Sequence, residues 1–222
     1  MSNRDRVSTR ELFDSIPSLL IPLFKDVTYP WEILPKIKDY IKFLISSGLN
    51  GYKEIDKGVY VGENTKIDKN VKIIPPAIIG NGVEIRHGAY LRGNVIICDG
   101  CVIGNSTEIK NSIIFENAAC PHYNYVGDSI VGNYAHLGAG VICSNLKSDK
   151  TEICIKGNEK YNTYLKKMGA ILGDRAEIGC GCVLNPGTVI GKYSSVYPLT
   201  SIRGVIPERS IVKDSKTIIS RV

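Results

Sequence analysis

Leucine is scarce in this sequence: 14 Leu stand against 31 Ile and 17 Val in 222 residues. Ile and Val are β-branched, stiff at χ1 and better suited to a pleated surface than to a helix, which argues against a mostly helical protein. No run of about 18 apolar residues occurs, so no membrane span is expected. The first twenty residues, MSNRDRVSTRELFDSIPSLL, hold neither the apolar stretch nor the small-residue cleavage site of a signal peptide, and a cytoplasmic location is expected. Clustered Lys/Arg runs are missing as well. A formal charge of +6 spread along the chain suits small anionic ligands rather than nucleic acid. Seven Cys, an odd number, fit a reducing compartment better than a disulfide framework. With 43% hydrophobic and 23% charged residues, disorder and collagen-like order are excluded. The length allows one sizeable core with a small appendage.

What is present is a six-residue period. From Val59 the chain parses as VYVGEN, TKIDKN, VKIIPP, AIIGNG, VEIRHG, AYLRGN, VIICDG, CVIGNS, TEIKNS and IIFENA. The third place holds Val61, Ile67, Ile73, Ile79, Ile85, Leu91, Ile97, Ile103, Ile109 and Phe115. Nine Val, Ile or Leu in succession at one phase have a chance probability on the order of 10⁻⁵. A compact residue follows four places later, as in Ala77, Val83, Ala89, Val95 and Cys101, and the pattern resumes at Leu172, Ile178, Leu184, Ile190, Val196 and Ile202. A six-residue period drifts out of phase with a helix but suits short strands that turn a corner at every repeat. Gly, Asn and Asp supply the corners. Three such sides make a triangular coil of about 18 residues with the aliphatic side chains stacked inward.

The repeat covers roughly residues 55–206. Residues 1–54 lack the period and read as helical: Ser8 and Glu11 form a capping box, Pro17 limits that helix, and a second starts near Pro30-Trp31. Its Ile33, Ile37, Tyr40, Ile41, Leu44 and Ile45 share one face, and Gly48 closes it. This segment is expected to cap the open end of the coil. The period fails again between Asn145 and Gly169. Alternation in TEICIKG and the β-rich NTYL predict a hairpin loop, inserted at about 146–169, that projects from the prism and carries Lys147, Lys150, Lys160, Lys166 and Lys167. Residues 207–222 are expected to form a C-terminal tail.

The sequence has three His: His87, His122 and His136. The phase slips around ENAACPHYNYVGDSIVG, and repeat proteins break their rule where function demands it. His122, Tyr123, Asn124, Tyr125 and Asp128 therefore form a candidate polar site. Arg92 and Lys110 stand one coil apart and stack on one side, where together they can bind a phosphate dianion. Cys98-x-x-Cys101 is half of a zinc-site pattern, but Cys101 and Cys182 occupy compact inward places and no second pair has ligand spacing, so packing is favoured. A Cys120–His122 nucleophile is the weaker reading.

The in-phase repeats resemble the hexapeptide-repeat proteins, which implies a left-handed parallel β-helix, all-β and usually trimeric. PHYNYVGDSIVG and LGAGVICSN, with LRGN and GNSTEIKNS upstream, are similar to the C-terminal acetyltransferase domain of the bifunctional N-acetylglucosamine-1-phosphate uridyltransferase / glucosamine-1-phosphate acetyltransferase family and its archaeal counterparts. The two patterns run together without a gap from Arg92 to Asn145. The resemblance implies a homotrimeric acyltransferase of the UDP-N-acetylglucosamine route, with acetyl-CoA as donor and a small anionic sugar as acceptor. It implies His122 as general base and Asn145 between the amine and the acetyl group. Arg92 and Lys110 fall on positions that hold the sugar phosphate, and Tyr125 and His136 on positions that contact the sugar. Ala139, Cys180 and Pro198 fall along the acetyl-CoA groove, with Lys150 as a further donor contact. His136 stands where the family has Asn, Cys180 where it has Ser and Pro198 where it has Ala, so the acceptor sugar and the acyl group stay open. No G-x-G-T-R-M-x-P-K-like phosphate loop is present, which leaves the nucleotidyltransferase half unrepresented. The chemistry stands apart from the resemblance: an amine that attacks a thioester must lose a proton, and an imidazole titrating near neutrality suits that task.

Two other readings remain. One is a non-catalytic partner or regulatory subunit of a sugar nucleotidyltransferase. The other is a zinc hydratase like the γ-class carbonic anhydrases. For it His87 and His122 have the right interval, but the third ligand should lie about five residues after His122, where Gly127 stands. No metal is expected.

Overall fold

The structure is a computed structural model and describes residues 6–220. Residues 1–5 of the N-terminal segment and 221–222 of the tail lie outside the described residues. The chain winds into a left-handed β-solenoid of about nine turns with three parallel faces. The first face carries Val59–Val61, Ala77–Ile79, Val95–Ile97, Ser112–Ile114, Ile130–Val131, Ala170–Leu172, Thr188–Ile190 and Val205–Ile206. The second runs from Lys66–Ile67 through Val102–Asn105, Ala119–His122 and His136–Leu137 to Ser210–Val212. The third holds Tyr90–Leu91, Glu108–Lys110, Tyr125–Gly127, Ile142–Cys143, Val183–Leu184 and their neighbours. Inside, the stacked residues of the period form one core: Ile79, Ile85, Leu91, Ile97, Ile103 and Ile109, then Val126, Leu137, Cys143, Leu172, Ile178 and Leu184.

Phe115 departs from the expected stack. Ile114 takes the inward place and Phe115 turns outward, because the corner after Lys110 is one residue shorter. The same shortening recurs after Gly127. Asn111 (φ 46°) and Asp128 (φ 47°) make these tight corners in the left-handed region, where Asn and Asp pay the smallest steric penalty after Gly.

The N-terminal segment does not cap the open end of the coil. It lies along the first face. Strands such as AII, VII, SII, AIL and TVI are apolar on both sides, so Ile78, Ile96, Ile113, Ile130, Ile171 and Val189 point outward and need cover. Val7, Leu12, Phe13, Leu20, Phe24, Trp31, Ile33, Leu34, Ile37 and Ile41 supply it in one second core. Glu11 accepts hydrogen bonds from the Ser8 amide and hydroxyl at 3.2 and 2.6 Å, the expected capping box of the short helix Thr9–Leu12. The longer helix Ile37–Ser47 follows a 3₁₀ turn, Pro30–Lys36, and ends at Gly48 with φ 85°. Phe13 and Phe24 clasp Phe115 with ring centroids 4.7 and 5.7 Å away.

The inserted hairpin pairs Cys154–Lys156 with Lys160–Asn162. Rather than projecting, it folds back on the same face: Ile153, Ile155, Tyr161 and Met168 join the second core, with Tyr161 edge-on to Tyr29 and Trp31 at 5.6 and 6.1 Å. The C-terminal region also differs from a tail. Ser210–Val212 adds a further parallel strand, and Ile218–Ser220 pairs with it antiparallel. Lys53–Asp56 does the same against Val59–Val61 at the other end. No helix among the described residues is long and apolar enough to cross a membrane.

Asp14 fastens the N-terminal segment to the corner between the first and second faces. Its carboxylate accepts from Lys192 Nζ at 2.5 Å and from the Tyr193 hydroxyl at 2.7 Å. The Lys192 bond, then the Tyr193 bond, hold this carboxyl below its ordinary range. A lowered carboxyl contributes stability that is present above its unfolded value and lost as the pH falls through the folded one. Asp14→Asn is expected to cost ~0.5–1 kcal/mol at pH 7, the range of solvent-screened pairs, and progressively less below about pH 4. Urea melts at the two pH values check it.

Candidate active site

His122 ends the strand Ala119–His122, and the left-handed Tyr123 (φ 52°) turns the chain onto the third face. Asn124 locks this corner. It is buried, its Oδ1 accepts from the His122 amide at 3.3 Å, and its Nδ2 donates to the Gly138 carbonyl at 2.7 Å. The imidazole of His122 is exposed and makes no hydrogen bond among the described residues.

The corner stacks from coil to coil. Ser106 N donates to His87 O, Tyr123 N to Asn105 O, Gly140 N to His122 O, Gly181 N to Ala139 O and Leu199 N to Cys180 O. His87, Asn105, His122, Ala139, Cys180 and Pro198 therefore form one column with steps of about 4.8 Å. Five residues singled out in the sequence, His87, His122, Ala139, Cys180 and Pro198, share it. His136 sits beside this column on the second face, its Nδ1 3.1 Å from Glu177 Oε2. Together with Gly138, Gly179, Cys180, Val196 and Pro198 it lines a shallow groove of about 280 Å³.

A second group gathers on the third face. Arg92, directly after Tyr90–Leu91, and Lys110, the last residue of Glu108–Lys110, stand on paired strands one coil apart, as their spacing predicted. Arg92 Nη1 donates to Glu108 Oε1 at 2.7 Å, and Lys110 Nζ lies 3.3 Å from Asp128 Oδ2. Asp128 is 5% exposed; its Oδ1 also accepts from Asn111 Nδ2 at 2.9 Å and its Oδ2 from Asn145 Nδ2. Beside them stands the Tyr125 hydroxyl, which burial, followed by the Glu108 and Asp128 charges, moves above its ordinary range. Gly127 leaves the room for this: a Cβ there would lie 2.6 Å from the Tyr125 hydroxyl and 2.7 Å from Asn145 Nδ2. Arg92, Lys110, Tyr125 and Asn145 are thus one cluster, and His122 precedes Tyr125 by three residues, at most about 11 Å along the backbone.

Lys150 stands apart from both groups. It is exposed at φ 57° in the insertion. Within the insertion Lys147, together with Ser144, Asn185 and Arg203, lines a cavity of about 330 Å³ at the far end of the third face. Sequence reading also missed Glu108 and Asn111. Their spacing of 16 from Arg92 and 17 from Asp128 was the available signal. Among the cysteines, Cys101, Cys120 and Cys182 point into the core, and burial raises each thiol, Cys101 to about 12. Cys120 therefore faces away from His122. Among the described residues no three His, Cys, Asp or Glu side chains stand close enough together to hold a metal ion.

A family model described as the GMPPB C-terminal domain matches residues 73–160. The chain is 34% identical over 217 residues to a Bifunctional protein GlmU of Methanococcus maripaludis, covering 89% of this chain and 49% of that protein. It is 34% identical over 179 residues to a Bifunctional sugar-1-phosphate nucleotidylyltransferase/acetyltransferase of Sulfurisphaera tokodaii, with 78% and 44% covered. Among solved structures, a mutant of the N-acyltransferase AntD from Bacillus cereus in complex with dTDP and Coenzyme A aligns at TM-score 0.42 and 21% identity, over 78% of this chain and 92% of that one. The chain spans about half the length of the curated relatives it matches. By its repeat and by its identity along most of its length, the chain is related to the GlmU-type bifunctional nucleotidyltransferase/acetyltransferases, through the hexapeptide-repeat fold.

Proposed function

We propose that the chain is an acyl-CoA-dependent acyltransferase, with acetyl-CoA as donor, that acts on the amino group of a sugar phosphate or nucleotide-linked sugar. The observation that carries this is the third-face cluster of Arg92, Lys110, Tyr125 and Asn145, set one corner from the exposed imidazole of His122. In this reading Arg92 and Lys110 bind the acceptor phosphate. Each is already paired with a carboxylate, yet the guanidinium keeps four further N–H groups and the ammonium two. Tyr125 and His136 contact the sugar. His122 takes the proton as the amine nitrogen bonds to the thioester carbon; the C–S bond then breaks, and the leaving thiolate takes that proton from the imidazolium to depart as the CoA thiol. No covalent enzyme intermediate is needed, since positioning and proton removal suffice.

The residues present fit a slender donor arm. Gly138, Ala139, Gly140, Gly179 and Gly181 keep the corner column low, and the groove beside Cys180 and Pro198 is largely apolar. Bound acetyl-CoA would supply the activated acyl group. A homotrimer, with a neighbouring copy closing this groove, belongs to the same proposal.

The test is CoA-thiol release from acetyl-CoA with glucosamine-1-phosphate and a panel of free, phosphorylated and nucleotide-linked amino sugars. Turnover on at least one phosphorylated member is expected. Arg92→Ala and Lys110→Ala should each raise the acceptor KM about 10- to 100-fold, the worth of a charge-assisted contact, and leave the acetyl-CoA KM nearly unchanged. No turnover on any member, with no binding of acetyl-CoA, would sink the proposal in favour of a non-catalytic partner of a nucleotidyltransferase.

A further inference from the structure

We infer that Asp128 is the positioning residue of the acceptor site, the group that fixes which edge of the Asn145 amide faces the acceptor while holding the Lys110 ammonium in place. This inference rests on the acyl-transfer reading for its consequence, but its geometry stands alone. Asp128 is the buried point at which Lys110, Asn111 and Asn145 meet. The Asn145 amide donates from Nδ2 to Asp128 Oδ2, which turns its amino edge toward the buried carboxylate. The carbonyl Oδ1 of Asn145 is therefore the edge left to accept a hydrogen bond from an incoming N–H. A carboxylate is the group that can impose this, because it offers acceptors alone and cannot be satisfied by a flipped amide.

The backbone around Asp128 does not need the side chain. Asp128 N donates to Lys110 O at 2.9 Å and Gly169 N donates to Asp128 O at 2.8 Å. Glycine takes the φ of 47° without strain, so Asp128→Gly removes the carboxylate and spares the corner. Asp128→Asn keeps one carbonyl oxygen for Lys110 and Asn145 while Asn111 turns over to offer its own oxygen to the new amide. The two variants thus separate loss of the acceptor from loss of the charge.

The direct measurement is solvent exchange of the side-chain NH₂ protons of Asn145, observed by NMR with selectively ¹⁵N-labelled asparagine. Slow exchange is expected in the wild type and in Asp128→Asn, and fast exchange in Asp128→Gly. Kinetics give the second readout: kcat should fall about 30-fold in Asp128→Gly and less than about threefold in Asp128→Asn. The acceptor KM should rise in Asp128→Gly, where the Lys110 ammonium loses its anchor, and change little in Asp128→Asn, which keeps an oxygen for it. A purely structural role would lower the melting temperature without this split. Fast exchange of the Asn145 protons in the wild type, or equal kcat in both variants, overturns the inference. If the protons are slow but no acceptor is turned over by the wild type, the acyl-transfer reading fails and the positioning role stands.

Discussion

Replacing His122 with alanine is expected to slow acyl transfer about 10²- to 10⁴-fold, the share a positioned general base contributes. The loss should fall on kcat. The imidazole is exposed, and what holds the corner is backbone: His122 N to Asn124 and His122 O to Gly140 N at 3.0 Å, both retained in the variant. The melting temperature should therefore move by no more than about 2 °C, as for other exposed substitutions. His136→Ala is the companion measurement. Its imidazole pairs with Glu177 at the groove wall, so it should alter the KM values rather than kcat. Retention of more than about a third of wild-type kcat in His122→Ala would remove the histidine from the proton-transfer role, since that leaves no room for a base effect of this size.

The largest effect on stability is expected from a smaller change, Gly104→Ala. Gly104 lies opposite Pro121 on the second face, between the paired strands Val102–Asn105 and Ala119–His122. A Cβ at Gly104 would sit 1.4 Å from the Pro121 carbonyl oxygen and 1.9 Å from its carbon. These are backbone atoms in a stack of coils, and they have nowhere to go. The cost should be about 4 kcal/mol or more, near the top of what single substitutions do, or a fall in melting temperature of about 8–16 °C for a chain of this size. Pro121 precedes His122, so residual folded protein should also be slow. Gly82→Ala is the control: open space surrounds that position and only its φ of 60° is against it. A fall of about 1 kcal/mol is expected there. If Gly104→Ala melts within about 3 °C of the wild type, the close approach is not rigid.

The stack of Ile79, Ile97, Leu172 and Ile190 was legible in the sequence because a coil repeats its environment every 18 residues, and each repeat votes again for the same answer. The outward row of Ile78, Ile96, Ile113 and Ile130 was equally periodic and equally visible, but it was absorbed into the general richness in isoleucine. Read as a second apolar side of one face, it would have placed the N-terminal helices along that face and drawn the hairpin back onto it. Phe115 was misplaced for a local reason: the chain saves one residue at Asn111, and a period counted by sixes cannot see a corner of five.

The candidate site was legible in the same uneven way. Arg92 and Lys110 fell together because the spacing of one coil is a spatial statement. The link from Asn145 back to Asp128 was not, since nothing in residue types says which of several polar side chains at a corner will be the buried one. Lys150 stands exposed while Lys147 lines the cavity, because a loop outside the repeat follows its own turns and carries no periodic signal.

The antiparallel strands at the two ends, Lys53–Asp56 and Ile218–Ser220, bear on how the molecule behaves in a crowd. A parallel coil is its own template: the last turn of one copy offers the hydrogen-bonding edge that the first turn of another requires, and such ends can join head to tail without limit. A strand running the wrong way blocks that register. Growth of the coil along its axis is thereby disfavoured.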